Sequence, residues 1–167
     1  MSDRDTAFAE YFAARSDAMR GTAYLLCGDW HRAEDLVQAT FTKLYVAWRR
    51  IDRHEALDAY TRQTLVRTFV SELRRGWFRK ERVSETTVDT AAVGRGSTED
   101  RLVLLAALAN VPPRQRAVLV LRYWEDLSVE ETARALNCSE GTVKSQAARG
   151  LQTLRGLITP QQGEMVR

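Results

Sequence analysis

The sequence predicts an all-α protein: two small helical domains joined by a flexible linker, the second containing a helix-turn-helix. Three observations lead there. Apolar residues recur at three- to four-residue spacing almost throughout. No stretch alternates polar and apolar residues as a half-buried strand would. From about Arg82 to Asp100 the periodicity lapses into Ser, Thr, Gly and charged residues. A long loop of this composition is unusual inside one compact domain, so it divides the chain. The expected organisation is a first domain over 1–80, a linker over 81–98, a second domain over 99–158 and a frayed tail over 159–167.

In the first domain, Phe8, Phe12, Met19, Ala23 and Leu26 mark a helix that stops at Cys27-Gly28-Asp29. Gly28 suits the left-handed exit of one helix and Asp29 the N-cap of the next. The second helix runs from about Trp30 to Arg50, with Ala33, Leu36, Val37, Thr40, Phe41, Leu44, Tyr45 and Trp48 on its apolar side. The third runs from about Leu57 to Trp77, with Tyr60, Thr64, Leu65, Thr68, Phe69 and Leu73 turned inward. Beyond the linker, Leu102, Leu105, Leu108 and Ala109 mark a further helix that Val111-Pro112-Pro113 ends. Pro113 can open the next helix, to about Glu125. Short helices over about Ser128–Leu136 and Ser139–Leu157 complete the pattern.

Composition excludes several classes. Hydrophobic residues make up 44% and charged residues 28%, which fits a globular chain rather than a disordered one. The net charge of +3 is small, so where the charge sits matters more than its total. The cysteines Cys27 and Cys138 lie far apart and read as reduced thiols. His31 and His54 have no ligand-spaced partners, so neither a metal site nor a cofactor is expected. Met-Ser-Asp-Arg-Asp is not followed by an apolar stretch, and no run is long enough to span a bilayer. No membrane insertion is expected, and the expected compartment is the cytoplasm. No nucleophile, acid–base pair or metal cluster stands out, so an enzyme is the weakest reading.

The densest motif is Ser128 to Gln146. Ser128 and Glu131 form a capping box, Ala133 is small where two helices must approach, and Leu136 closes the apolar contact. Asn137 tolerates the left-handed backbone of the turn, Ser139 caps the second helix, and Val143 turns back to the core. This leaves Glu140, Thr142, Lys144, Ser145, Gln146 and Arg149 outward, with Ser139 at the head of the set. Lys and Arg can contact phosphate or guanine, Gln can pair with adenine, and Ser and Thr can do either. A plain hairpin with a solvated polar face would share the same pattern.

The third helix is basic. Arg62, Arg67, Arg74, Arg75, Arg79, Lys80 and Arg82 outnumber Glu72 and Glu81, and Phe69, Trp77 and Phe78 are interleaved. Arginines with aromatics suit an opened DNA strand, whose phosphates need countercharge and whose bases need flat surfaces. Phe69 reads as core; Trp77 and Phe78 can be core or stacking platforms.

Taken in order, Ala33 to Phe41, Ala59-Tyr60-Thr61-Arg62, Ser71 to Arg75, Leu108 to Arg122 and Thr142 to Ser145 resemble the extracytoplasmic-function group of the sigma-70 family, in particular its SigE-like actinobacterial members. The resemblance covers nearly the whole chain. It implies a factor that joins core RNA polymerase and directs it to promoter DNA, with the first domain as region 2 and the second as region 4. Asp35, Gln38, Thr42 and Lys43 would then contact the clamp helices of the largest polymerase subunit, and region 4 would meet the flap. His54, in the loop over about Asp52 to Ala56, would join Arg62, Arg67, Arg74, Arg75, Trp77 and Arg79 in melting and holding the −10 element. The helix beginning at Ser139 would read the −35 element. An anti-sigma factor is a possible further partner. The chain departs from the family pattern at Arg67, where Asn is common, at Glu72, where Asp is usual, and at Gln146, where Arg is common. These departures bear on promoter sequence. A stand-alone helix-turn-helix regulator would explain the second domain alone, and a helical interaction module that has lost DNA binding would leave Lys144 and Arg149 unexplained.

Overall fold

The structure is a computed structural model, and it describes residues 2–51, 56–75 and 98–165, with side chains over 99–158 in the last stretch. Its described elements are all helical: α1 (Asp3–Cys27), α2 (Trp30–Ala47) with a 3-10 turn (Trp48–Arg50), α3 (Leu57–Arg74), α4 (Thr98–Ala109), α5 (Pro113–Leu119) continuing into a π-helical turn (Val120–Trp124), α6 (Val129–Leu136) and α7 (Glu140–Met165).

The ends follow the local chemistry. Ser2 accepts a hydrogen bond from the Asp5 N–H and Asp5 answers the Ser2 N–H, a capping box at the head of α1. Gly28 closes α1 at φ 73°, in the left-handed region where a Cβ is unfavourable. Asp29 accepts from the N–H groups of His31 and Arg32 and opens α2. Pro113 begins α5, where its missing N–H is not needed. The final helix runs on to Met165, past the end at about Leu157 read from the sequence.

The first unit packs α1, α2 and α3 around Leu26, Leu36, Phe41, Leu44, Leu65 and Phe69. Edge-to-face aromatics pin the N-terminal half of α1 to α2: Phe8 lies 5.1 Å from Tyr45 and 5.3 Å from Trp48, and Phe12 lies 4.8 Å from Phe41. The Tyr11 hydroxyl donates to Asp58 Oδ1 at 2.8 Å, and Arg15 meets the same carboxylate at 3.2 Å, joining α1 to α3. The inward stripe of α3 is Leu57, Thr61, Leu65, Thr68 and Phe69. Tyr60, assigned inward from the sequence, is 39% exposed. Leu65, Thr68 and Phe69 lie inward as expected, and only the N-terminal edge of the stripe differs: Thr61 takes the buried place, its hydroxyl satisfied by the Leu57 carbonyl at 2.8 Å.

The second unit packs α5, α6 and α7, with α4 against α7. Val118, Ala133 and Val143 form its centre. Gly150 lets α7 approach α5: a Cβ there would stand 3.1 Å from Leu119 Cγ.

The two units also share a core, which sequence periodicity could not foresee. Leu105, Ala117 and Val120 join the cluster built on Leu26 and Phe69. Val66 on the far side of α3 is 0% exposed, covered by Leu121, Leu127 and Ala135. Burying a side chain of this size contributes about 1.5–3 kcal/mol. The expected linker over 81–98 lies outside the described residues, except that Thr98 begins α4.

Candidate nucleic-acid interface

The helix-turn-helix forms as its residues require. Ser128 Oγ accepts from the Glu131 N–H at 3.0 Å, and the Glu131 carboxylate accepts from the Ser128 N–H at 3.1 Å. Hydrogen bonds to the Glu131 carboxylate from the Ser128 N–H, and then from the Ser128 hydroxyl, lower its pKa from the ordinary value. Asn137 adopts φ 55°, ψ 52°, and the Cys138 N–H then donates to the Ala133 carbonyl at 3.0 Å, turning the chain toward α7. Ser139 Oγ accepts from the Thr142 N–H at 3.0 Å and shares a hydrogen bond with Thr142 Oγ1 at 2.9 Å. Its hydroxyl is therefore occupied in starting the helix. Ser139 is thus the N-cap of α7 and remains exposed.

Along α7, Glu140, Thr142, Lys144, Ser145 and Arg149 are exposed, while Val143 and Gly150 are buried. Ser145 and Arg149 are one turn apart on the face opposite Val143. Gln146 is half-buried, and with Thr142 it lines a small cleft of about 50 Å³ against Val70 and Leu73 of α3. The sequence placed Gln146 on the outer face; here it sits at the flank nearest the first unit.

The candidates on α3 divide. Arg67, Arg74 and Arg75 are exposed. Arg67 and Arg74, two turns apart, line a groove of about 350 Å³ with Ser71, Arg134 and Asn137, so the guanidinium-bearing residues of both units border one channel. Arg75 lies 3.7 Å from Glu72. Arg62 is half-buried, and its Nε is 3.0 Å from Glu125 Oε2 in the second unit. His54, Trp77 and Arg79 lie outside the described residues.

On α2, Asp35, Gln38 and Thr42 are exposed at i, i+3 and i+7, forming one stripe. Lys43 is exposed but reaches back to donate to Thr68 Oγ1 at 3.0 Å. The N-terminal end of this stripe is braced. Arg20 donates to Glu34 Oε1 at 2.7 Å and lies 5.6 Å over the Trp30 ring, which stacks on Tyr24 at 4.4 Å.

Three residues matter that sequence reasoning did not single out: Glu125, Thr22 and Arg116. Glu125 accepts from Thr22 Oγ1 at 2.6 Å as well as pairing with Arg62. Arg116 lies deep at the meeting of the two units, beside Cys27, where burial pushes its guanidinium down to about 10 and leaves it charged at neutral pH. Its Nη1 donates to the Ala109 carbonyl at 3.4 Å and sits at the C-terminal end of α1, where the helix dipole favours positive charge. In the sequence each of these is one polar residue in a helix end or stripe, with nothing to mark a partner ~50–100 residues away.

The fold and these surfaces define a two-part helical protein whose second part is a helix-turn-helix. Residues 12–79 match the sigma-70 region 2 model and residues 101–154 the sigma-70 region 4 model. The chain is 37% identical over 153 residues to the RNA polymerase sigma-E factor of Streptomyces coelicolor, covering 89% of this chain and 84% of that one. It is 31% identical to the ECF RNA polymerase sigma factor SigE of Mycolicibacterium smegmatis, covering 93% of this chain and 63% of that one. The sigma factor RpoE of Bartonella quintana, solved in complex with the anti-sigma factor NepR, superposes with a TM-score of 0.70 at 25% identity, covering 92% of this chain and 97% of that one. The chain belongs to the extracytoplasmic-function group of the sigma-70 family. It is a sigma factor: it binds core RNA polymerase and directs promoter-specific initiation. Among the described residues no helix is long and apolar enough to cross a membrane.

Proposed function

We propose that the polymerase clamp helices dock on the Asp35–Gln38–Thr42 stripe of α2, with Lys43 at its edge. Arg67, Arg74 and Arg75, joined by Arg62, His54, Trp77 and Arg79, then hold the melted −10 strand. Lys144, Ser145 and Arg149, flanked by Glu140, Thr142 and Gln146, read the −35 duplex, and Ser139 sets the pitch at which the helix enters the groove. The functional division follows 1–80 and 99–158, with 81–98 as the tether and 159–167 as a C-terminal extension. A tether lets two weak DNA contacts act as one through effective concentration. Polymerase supplies the chemistry, so this chain needs no catalytic group and acts in the cytoplasm.

The observation that carries this reading is the exposed stripe on α2 lying apart from the helix-turn-helix. A stand-alone regulator has no use for the first surface. The superposition on RpoE, solved with NepR, supports an anti-sigma factor as a further partner. The test is transcription of genomic fragments by purified core polymerase with and without this chain. Specific transcripts and co-elution with core are expected; their absence would end the proposal.

A further inference from the structure

The seam between the units carries a residue cluster that promoter recognition does not explain. Glu125 projects from the end of α5, and both its carboxylate oxygens are taken by the first unit. Thr22 of α1 donates to Oε1 at 2.6 Å, and Arg62 of α3 meets Oε2 at 3.0 Å. The Glu125 side chain is only 17% exposed, so solvent screens the pair less than a surface salt bridge.

The backbone aims Glu125 at this place. The end of α5 is a π-helical turn, and the Glu125 N–H closes it on the Val120 carbonyl at 3.0 Å. Asp126 follows at φ 57°, and the Leu127 N–H returns to the Leu121 carbonyl at 2.9 Å. A plain α-turn would carry Glu125 about 100° around the helix, away from Arg62.

What the seam covers is the Arg62 edge of the basic helix, while Arg67, Arg74 and Arg75 stay exposed. Val66, one turn beyond Arg62, is fully buried under Leu121, Leu127 and Ala135. Arg62 cannot give its Nε edge to Glu125 and to a DNA phosphate together.

We propose that Glu125 is the catch of a self-held closed state, in which region 4 covers the Arg62 edge of the −10 face of region 2. Arg62 alternates between Glu125 and DNA. The chain then holds itself shut without any inhibitor, and polymerase binds it by drawing the two units apart. A ligand selective for the open state gains only from the fraction of molecules already open. The masking half of this inference rests on the reading of α3 as the −10 face; the catch itself rests on geometry alone.

The test uses the full chain. Glu125→Gln keeps the shape and removes the charge. Small-angle scattering should show a larger radius of gyration, and core polymerase should associate about fivefold faster, the factor expected for a modest ion pair of ~1 kcal/mol. Thr22→Val, which removes only the second donor, should shift both readouts in the same direction. Exchanging the charges, Arg62→Glu with Glu125→Arg, should restore the compact scattering profile. A Glu125→Gln chain that folds, judged by its helical circular dichroism, yet scatters like the native one would overturn the catch. Expansion without any polymerase association, in native and variant alike, would leave the catch standing and remove the sigma reading instead.

Discussion

Arg116 Nη1 lies 2.6 Å from where a Cβ on Gly28 would stand. Gly28 ends α1 in region 2 and Arg116 rises from α5 in region 4, so the absence of one side chain makes room for the tip of another across the seam. Gly28→Ala therefore meets two penalties, the left-handed φ of 73° and the displaced guanidinium. The first alone is roughly 1–2 kcal/mol. Each kcal/mol lowers the thermal midpoint by about 2–4 °C in a chain of this size. In an Arg116→Met background the steric part should shrink, and a double-mutant cycle by thermal unfolding measures the coupling.

Asp35→Arg combined with Gln38→Ala changes only exposed groups. We expect an unchanged melting curve and loss of co-elution with core polymerase. Normal holoenzyme assembly by this variant would move the docking surface elsewhere.

Lys144→Ala and Arg149→Ala should each weaken binding of holoenzyme to promoter DNA. If each contacts a phosphate, the slope of log affinity against log salt falls by about 1 per residue. A base contact would instead relax sequence preference at one position with little change in slope. Titrations at several salt concentrations on matched and mismatched −35 sites separate the two.

Cys27 and Cys138 are both free thiols, in different surroundings. Burial pushes the Cys27 thiol from 9.0 to about 12, against the opposing influence of Arg116 and Arg32. At pH 8 it stays protonated and inaccessible, and thiolate is the reactive form. Half-buried Cys138 is shifted upward too, again by burial. Iodoacetamide should therefore modify Cys138 first, and Cys27 only at the rate of global unfolding, as peptide mass spectrometry over time will report.

Glu131 gives an acid-side expectation. Its folded-state pKa is below the ordinary value because it accepts from the Ser128 backbone and side chain. A lowered carboxyl pKa contributes stability above the unfolded pKa, and that contribution is lost as pH falls through the folded value. Glu131→Gln should thus lower stability at neutral pH while flattening its decline below pH ~4.5. Denaturant midpoints from pH 7 to 3 provide the check.

Much of the interface was legible in the chain because its causes are local. Ser128, Glu131, Asn137 and Ser139 act within one or two turns, so capping and turn chemistry placed the recognition helix and its start. Asp35, Gln38 and Thr42 were named through the family resemblance, and the structure shows them exposed at i, i+3 and i+7 on one face of α2. Tyr60 and Gln146 were misplaced for a common reason: helical periodicity finds a stripe more reliably than its edges, and neighbouring elements settle which flank is covered.

Sequence alone determined the helices and their caps, since these arise from residues within a few turns of one another. The relation between the two units came only from tertiary packing. Val66, Arg116 and the Thr22–Glu125–Arg62 cluster owe their roles to partners far along the chain, and a period of 3.6 residues holds no record of which distant surface will close over it.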